Sequence, residues 1–134
     1  MEAHYAGRNS KDPLVVVGDL NVAPGEHDVW GHKQLLNVVS HTPVETDAMG
    51  RILARGGLVD LARVARPAPE KVFSWWSYRS PDWTKNDRGR RLDHILANAD
   101  FAPRFIKESF AIHKDARAWE KPSDHVPVVA AFEV

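Results

Sequence analysis

The stretch PLVVVGDLN, residues 13–21, decides the fold: a short continuous apolar run is closed by Gly18 and hands over to Asp19 and Asn21. A run of this kind reads as a buried strand delivering a loop at its tip. Strand termini are where α/β enzymes place their working groups. In extended backbone, positions i and i+2 point the same way, so Asp19 and Asn21 are expected to face one pocket. Gly, Asp and Asn are also the favoured turn formers, and a plain turn is the competing reading.

Downstream, APGEHDVWGHKQLLNVV carries turn residues and then a helix pattern. PVETDAMGRILARGG reads as a helix that Pro43 opens, Glu45 and Asp47 support in the first turn, and Gly56-Gly57 closes. LVDLARVARPAP reads as a short third helix with Leu58, Leu61 and Val64 on one face. VFSWWSY, RLDHILAN, ESFAIH and the terminal VPVVAAFEV read as strands. Helices and strands interleave without strict βα alternation. The expected class is α/β, with a mixed or mostly antiparallel sheet and flanking helices.

At 134 residues this is one domain at most, and 43% hydrophobic with 27% charged residues is ordinary for a soluble globular chain. No apolar stretch approaches the roughly 20 residues of a membrane span. The opening MEAHYAGRNSKDP has no hydrophobic signal core, which gives a cytoplasmic expectation. Absence of cysteine excludes disulfides, thiolate zinc sites and a cysteine nucleophile. A formal net charge of zero argues against a generic polyanion-coating protein and leaves any such work to local basic clusters.

Three further segments carry chemistry. Asp93 sits among apolar residues in RRLDHIL, where a carboxylate must be paired: either with Arg91 as a structural ion pair or with a histidine whose tautomer it fixes. His94 points to the opposite strand face and reads as structural. SDHVP offers Asp124, an oxygen donor suited to magnesium or manganese, and His125, a base titrating near neutrality; a solvated loop is the competing reading. FSWWSYRSPDWTKNDRGRR interleaves Trp75, Trp76, Tyr78 and Trp83 with Arg79, Lys85, Arg88, Arg90 and Arg91. Stacking rings beside cations are the ingredients of a nucleic-acid surface, although one of Trp75 and Trp76 is expected in the core.

Taken in order, GDLNVAP, FSWWSYRS, GRRLDHIL and WEKPSDHVPVV resemble the C-terminal half of exonuclease III-type AP endonucleases, of the endonuclease/exonuclease/phosphatase superfamily, from about Pro13 to the last strand. The resemblance implies half of a four-layer α/β sandwich, with residues 1–134 as the C-terminal portion of the domain and the N-terminal half absent. It implies a DNA-repair nuclease that uses Mg2+ (or Mn2+), cuts 5′ to abasic sites and degrades duplex DNA from 3′ ends. By motif, Asp19 would be the active-site acid and Asn21 the phosphate-contacting amide. His125 would contact the scissile phosphate as base or stabiliser, oriented by Asp93, with Asp124, His125 and Asp19 at or beside the metal. The WWSY tryptophans would line a pocket for an abasic sugar, and the basic segment would meet the duplex.

The family's first half supplies an asparagine, the principal magnesium-binding glutamate and a tyrosine, none of which has a counterpart here. The chain also begins as if in mid-helix, and Arg90 stands where relatives often carry an apolar or aromatic residue. The chain alone is therefore expected to be inactive or very weak, with its unpacked face covered by self-association or by a separate N-terminal half. Rival readings are a non-catalytic half-domain that binds DNA or complements that half, and a phosphatase or phospholipase of the same superfamily.

Overall fold

The computed structural model of the chain describes residues 12–134, and the helix expected ahead of Pro13 lies outside them. In chain order the elements are β1 (Val15–Asp19), α1 (His32–Leu35), α2 (Pro43–Gly56), β2 (Leu58–Asp60), α3 (Leu61–Ala65), α4 (Trp83–Asn86), β3 (Asp93–Asn98), β4 (Phe105–Ile112) and β5 (Val128–Phe132). They build an α/β structure with two sheets, one ordered β1-β3-β2 and the other pairing β4 with β5. Every strand pairing is antiparallel, so the antiparallel alternative is the one realised. Among the described residues no helix is long and apolar enough to cross a membrane.

Strand alternation on β3 organises both sides of the first sheet. Ile95 and Ala97 pack with Phe105, Phe110 and Val128 of the second sheet. Leu96 faces the other way, onto Met49 of α2 and Leu58. Helix α2 is specified as its sequence suggests: Thr42 caps it by accepting from the Glu45 amide at 3.4 Å, and Glu45 returns the bond to the Thr42 amide at 3.1 Å. Gly57 ends it at φ 60°, a left-handed conformation that glycine adopts without strain.

Three local expectations are corrected. Leu58 lies in strand β2, and only the five residues of α3 are helical, leaving Val64 41% exposed. The segment VFSWWSY forms no regular strand: its ladder is limited to Trp75, bridged to Arg90 and to His125. Its aromatics sit where they do because they are packed, which β propensity alone does not distinguish from pairing. Strand β1 is an edge strand with Val15 37% and Val17 66% exposed, not a strand buried on both faces. Its Val16 packs towards α2, while Val15 and Val17 open onto a groove of about 480 Å³ shared with Ile95, Val128 and Phe132.

At the end of the first sheet lies a buried ion network. The Arg91 guanidinium, 1% exposed, donates from Nε to Asp28 Oδ1 at 2.6 Å and from Nη2 to Asp60 Oδ2 at 2.7 Å. Arg63 adds a second cation to Asp28 at 2.5 Å. Burial pushes the Asp28 carboxyl up, but the hydrogen bonds and charges of Arg91 and Arg63 outweigh it and hold it below the ordinary carboxylate range. A depressed acid contributes stability that is present above its unfolded pKa and lost as pH falls through the folded one. The alternative Arg91–Asp93 ion pair is thus not formed: Asp28 and Asp60 take up the Arg91 guanidinium, and Asp93 meets His125 instead.

Breaking a buried pair leaves its partner charge unpaired, at a cost of about 3–5 kcal/mol. Arg91→Leu should therefore lower the unfolding free energy by roughly that amount in urea titration. A loss below about 1 kcal/mol, the level of an exposed pair, would show that the network is not holding the fold.

Candidate active site

The site begins with a register. Asp19, last residue of β1, is the cross-strand partner of Asp93, first residue of β3. Directly opposed residues of an antiparallel pair place their side chains on one face, and like charges there repel. The imidazole of His125 lies between the two carboxylates. Its Nδ1 is 2.8 Å from Asp93 Oδ2, and its Nε2 is 3.6 Å from Asp19 Oδ2. The ring arrives there because His125 is bridged to Trp75, while the Ser123 hydroxyl accepts the His125 amide at 3.1 Å. A carboxylate can only accept from Nδ1, so Asp93 fixes the tautomer and leaves Nε2 facing Asp19.

Burial lowers the pKa of His125, but the hydrogen bond and charge of Asp93, with the charges of Asp19 and Asp124, more than offset it, and the net direction is upward. The ring is still 30% exposed, so solvent reaches the cluster. Donor atoms of Asp19, Asp93 and His125 all lie within 4.8 Å of one another. Two carboxylate oxygens and one imidazole suit a hard divalent cation, for which they would supply part of an oxygen-rich shell. Three donors fall short of the six such an ion takes, leaving positions for water and substrate oxygens.

Two expected members sit differently. Asp124 accepts from Trp75 Nε1 at 3.0 Å while its charge still reaches His125, and the three donors that converge are Asp19, Asp93 and His125. Asn21 does not continue the strand: its φ is 54°, and its amide donates to Asp19 Oδ1 at 2.8 Å. The extended-backbone relation between positions 19 and 21 therefore fails, and a turn folds Asn21, exposed, over the acid.

Ser74 escaped the sequence reading. It is fully buried, and its hydroxyl accepts the amides of Leu92 at 3.0 Å and Asp93 at 3.1 Å. Its own carbonyl accepts from Val126 at 2.9 Å. One serine thus ties the strand carrying Asp93 to the segment carrying His125. The only sequence signal was a small polar residue in an aromatic run.

The basic and aromatic segment divides. Trp76 is 2% exposed, donates to Asp87 at 3.0 Å and packs on Phe73, so it belongs to the core and cannot meet a duplex. Arg91 is excluded in the same way by its ion network. Arg79, Lys85, Arg88 and Tyr78 are exposed, and Trp75, Trp83 and Arg90 are half-buried. Tyr78 donates to the Pro122 carbonyl at 2.7 Å, which ties it to the loop leading to His125.

The cluster makes a pH prediction. A raised histidine pKa contributes stability that is fully present below the unfolded pKa and lost as pH rises through the folded one. In metal-free buffer, the His125 Cε1 proton resonance should titrate above the ordinary histidine range, and Asp93→Asn should move its midpoint down. An unchanged midpoint in Asp93→Asn would remove Asp93 as the partner of the ring.

Comparison with known proteins agrees with this geometry. The chain is 36% identical over 131 residues to an exodeoxyribonuclease III of Haemophilus influenzae, covering 93% of this chain and 48% of that one. It is 33% identical over 120 residues to an exodeoxyribonuclease of Bacillus subtilis, covering 90% and 44%. Its fold superposes on an AP endonuclease from Archaeoglobus fulgidus with TM-score 0.89 at 33% identity, covering 97% of this chain and 49% of that chain. It superposes on a Neisseria 3′ phosphatase bound to product DNA hairpin with TM-score 0.80 at 30% identity, covering 91% and 46%. The chain spans about half the length of the curated relatives it matches. A model of the endonuclease/exonuclease/phosphatase family matches residues 3–125, across both carboxylates and the histidine between them, and the chain belongs to that family.

Proposed function

We propose that this chain supplies the acid–histidine side of a Mg2+- or Mn2+-dependent phosphodiesterase acting on duplex DNA. In this reading it cuts the backbone 5′ to abasic sites and removes nucleotides from 3′ ends. The observation that carries the reading is the in-register pair Asp19 and Asp93 with His125 between them. Phosphodiester hydrolysis needs an activated water, in-line placement and positive charge against the phosphate. The raised pKa of His125 favours the imidazolium, which suits contact with a phosphate oxygen. Asp19, opposite Nε2, then takes the proton of the attacking water. Asp93 holds the ring still, and Ser74 holds Asp93. A divalent ion at Asp19 and Asp93 would neutralise charge developing on the phosphate.

We propose further that this chain is the C-terminal portion of such a domain. The groove lined by Val15, Val17, Ile95, Val128 and Phe132 is where additional chain would pack, because an apolar sheet face of this kind is costly to leave wet. With the carboxylates of Asp19 and Asp93 as the metal donors among the described residues, the chain alone should incise an abasic-site duplex weakly or not at all in Mg2+. Adding the portion of a relative that it does not cover should raise incision by at least tenfold, and His125→Ala should abolish the gain. Strong incision by the chain alone would sink the requirement for more chain. A mixture that stays inactive while forming a stable complex would sink the nuclease reading.

A further inference from the structure

The stretch that delivers His125 is held by few side chains. Ala116 and Arg117 are buried, residues 118–121 are exposed, and no residue is buried again until Val126. Trp119, the one large apolar side chain in between, is 62% exposed, so burial of apolar surface does not fix this loop. Lys121 stands at φ 51°, a left-handed conformation that a residue other than glycine keeps only where its surroundings hold it.

Arg117 supplies one of those holds. No carboxylate pairs with it among the described residues. Asp87, which accepts from Trp76 Nε1, is paired with Lys114 at 2.9 Å. The Arg117 guanidinium donates instead from Nε to the Trp76 carbonyl at 3.2 Å and from Nη2 to the Ser77 carbonyl at 3.3 Å. Its central carbon lies 4.9 Å from the Tyr78 ring centroid and 5.4 Å from that of Trp83. A rigid fork that meets two successive carbonyls and lies against two rings fixes direction as well as distance. Burying a cation against neutral acceptors alone is costly, and such departures gather at functional sites.

The backbone of Trp76 joins the two ends of the loop. Its carbonyl accepts from Arg117, and its amide donates to the Asp124 carbonyl at 3.0 Å. Next to this contact Val126 donates to the Ser74 carbonyl at 2.9 Å, and Trp75 is bridged to His125. We infer that Arg117 is a positioning residue for His125. By holding the Trp76 and Ser77 peptides it closes residues 117–125 onto the Trp75 segment, and so sets where the imidazole meets Asp93 and Asp19. The task given to His125 rests on the nuclease reading, whereas the hold on the loop rests on these contacts alone.

The test is amide hydrogen exchange, followed by NMR on the purified full chain in EDTA. Arg117→Gln removes the charged fork, and Arg117→Lys keeps a cation while giving up the paired donors. In each, the amides of Trp76 and Val126 should exchange at least about tenfold faster. Those of Leu20 and Ala23, which bond to Leu92 and Ser40, should keep their rates. Arg117→Lys decides the question should Arg117→Gln not fold. Acceleration of all four amides together, or unchanged Trp76 and Val126 rates in a folded variant, would overturn the hold on the loop. In the chain complemented by the missing portion, kcat on an abasic-site duplex should fall at least about tenfold in the same variants, with KM little changed. An unchanged kcat beside a selectively opened loop would overturn the positioning role. A selectively opened loop in a chain whose complemented wild-type form cuts no DNA would overturn the nuclease reading and leave the hold standing.

Discussion

The buried guanidinium of Arg91 is the constraint on which the site depends. It joins Asp28, in the loop after β1, to Asp60, at the end of β2, and it stands two residues before Asp93. The loop that follows the first acid and the strand that carries the second are therefore locked by a single cation. Burying it is tolerable only because its donors are occupied: Nε and Nη2 meet Asp28, Nη1 and Nη2 meet Asp60, and Nη1 also approaches His94 Nδ1 at 3.2 Å. His94 closes the network by placing Nε2 2.7 Å from the Val22 carbonyl, and burial with the nearby Arg91 charge holds its pKa down. A neutral ring accepting from Arg91 through Nδ1 and donating to Val22 through Nε2 satisfies both contacts.

From that anchor the geometry of the cluster follows by short steps. Antiparallel register brings Asp19 opposite Asp93. Ser74, accepting two successive amides at the start of β3, aligns the Trp75 segment with it. The Trp75–His125 bridge then delivers the imidazole between the carboxylates. No single interaction selects His125 for this place. A charge repulsion built into the sheet is relieved by a ring whose own pKa is raised in return.

Much of this was legible in the chain. The cap residues of α2, the strand at RLDHILAN and the acid–histidine motifs carry their signals within a few residues, because caps and alternation are local. The Asp93–His125 contact was one of two readings open for a carboxylate in an apolar strand, and geometry chose it over Arg91. What was hidden depends on distance along the chain. Asp28 and Asp60 gave no sign that they would share one cation, being 32 residues apart in sequence and joined only through position 91. Trp76 and Trp75 are equally aromatic, and only tertiary contacts, with Phe73, Trp83 and Asp87, hold one of them inward. The apolar run of β1 correctly implied a strand, but it reported the need for cover and not whether the chain itself supplies it.

The adjacent arginines at 90 and 91 show how one sheet position separates a charge-paired guanidinium from one held by neutral acceptors. Neighbouring residues in extended backbone point to opposite faces. Arg91 turns inward and is neutralised by two aspartates, whereas Arg90 turns outward over Trp75 and meets only neutral acceptors, the Val39 carbonyl and the Ser40 hydroxyl. Burial alone pushes the Arg90 pKa down, and no carboxylate offsets it. The same dipeptide thus fixes the strand that holds Asp93 and leaves a cation, without a counter-charge among the described residues, two bridges away from His125.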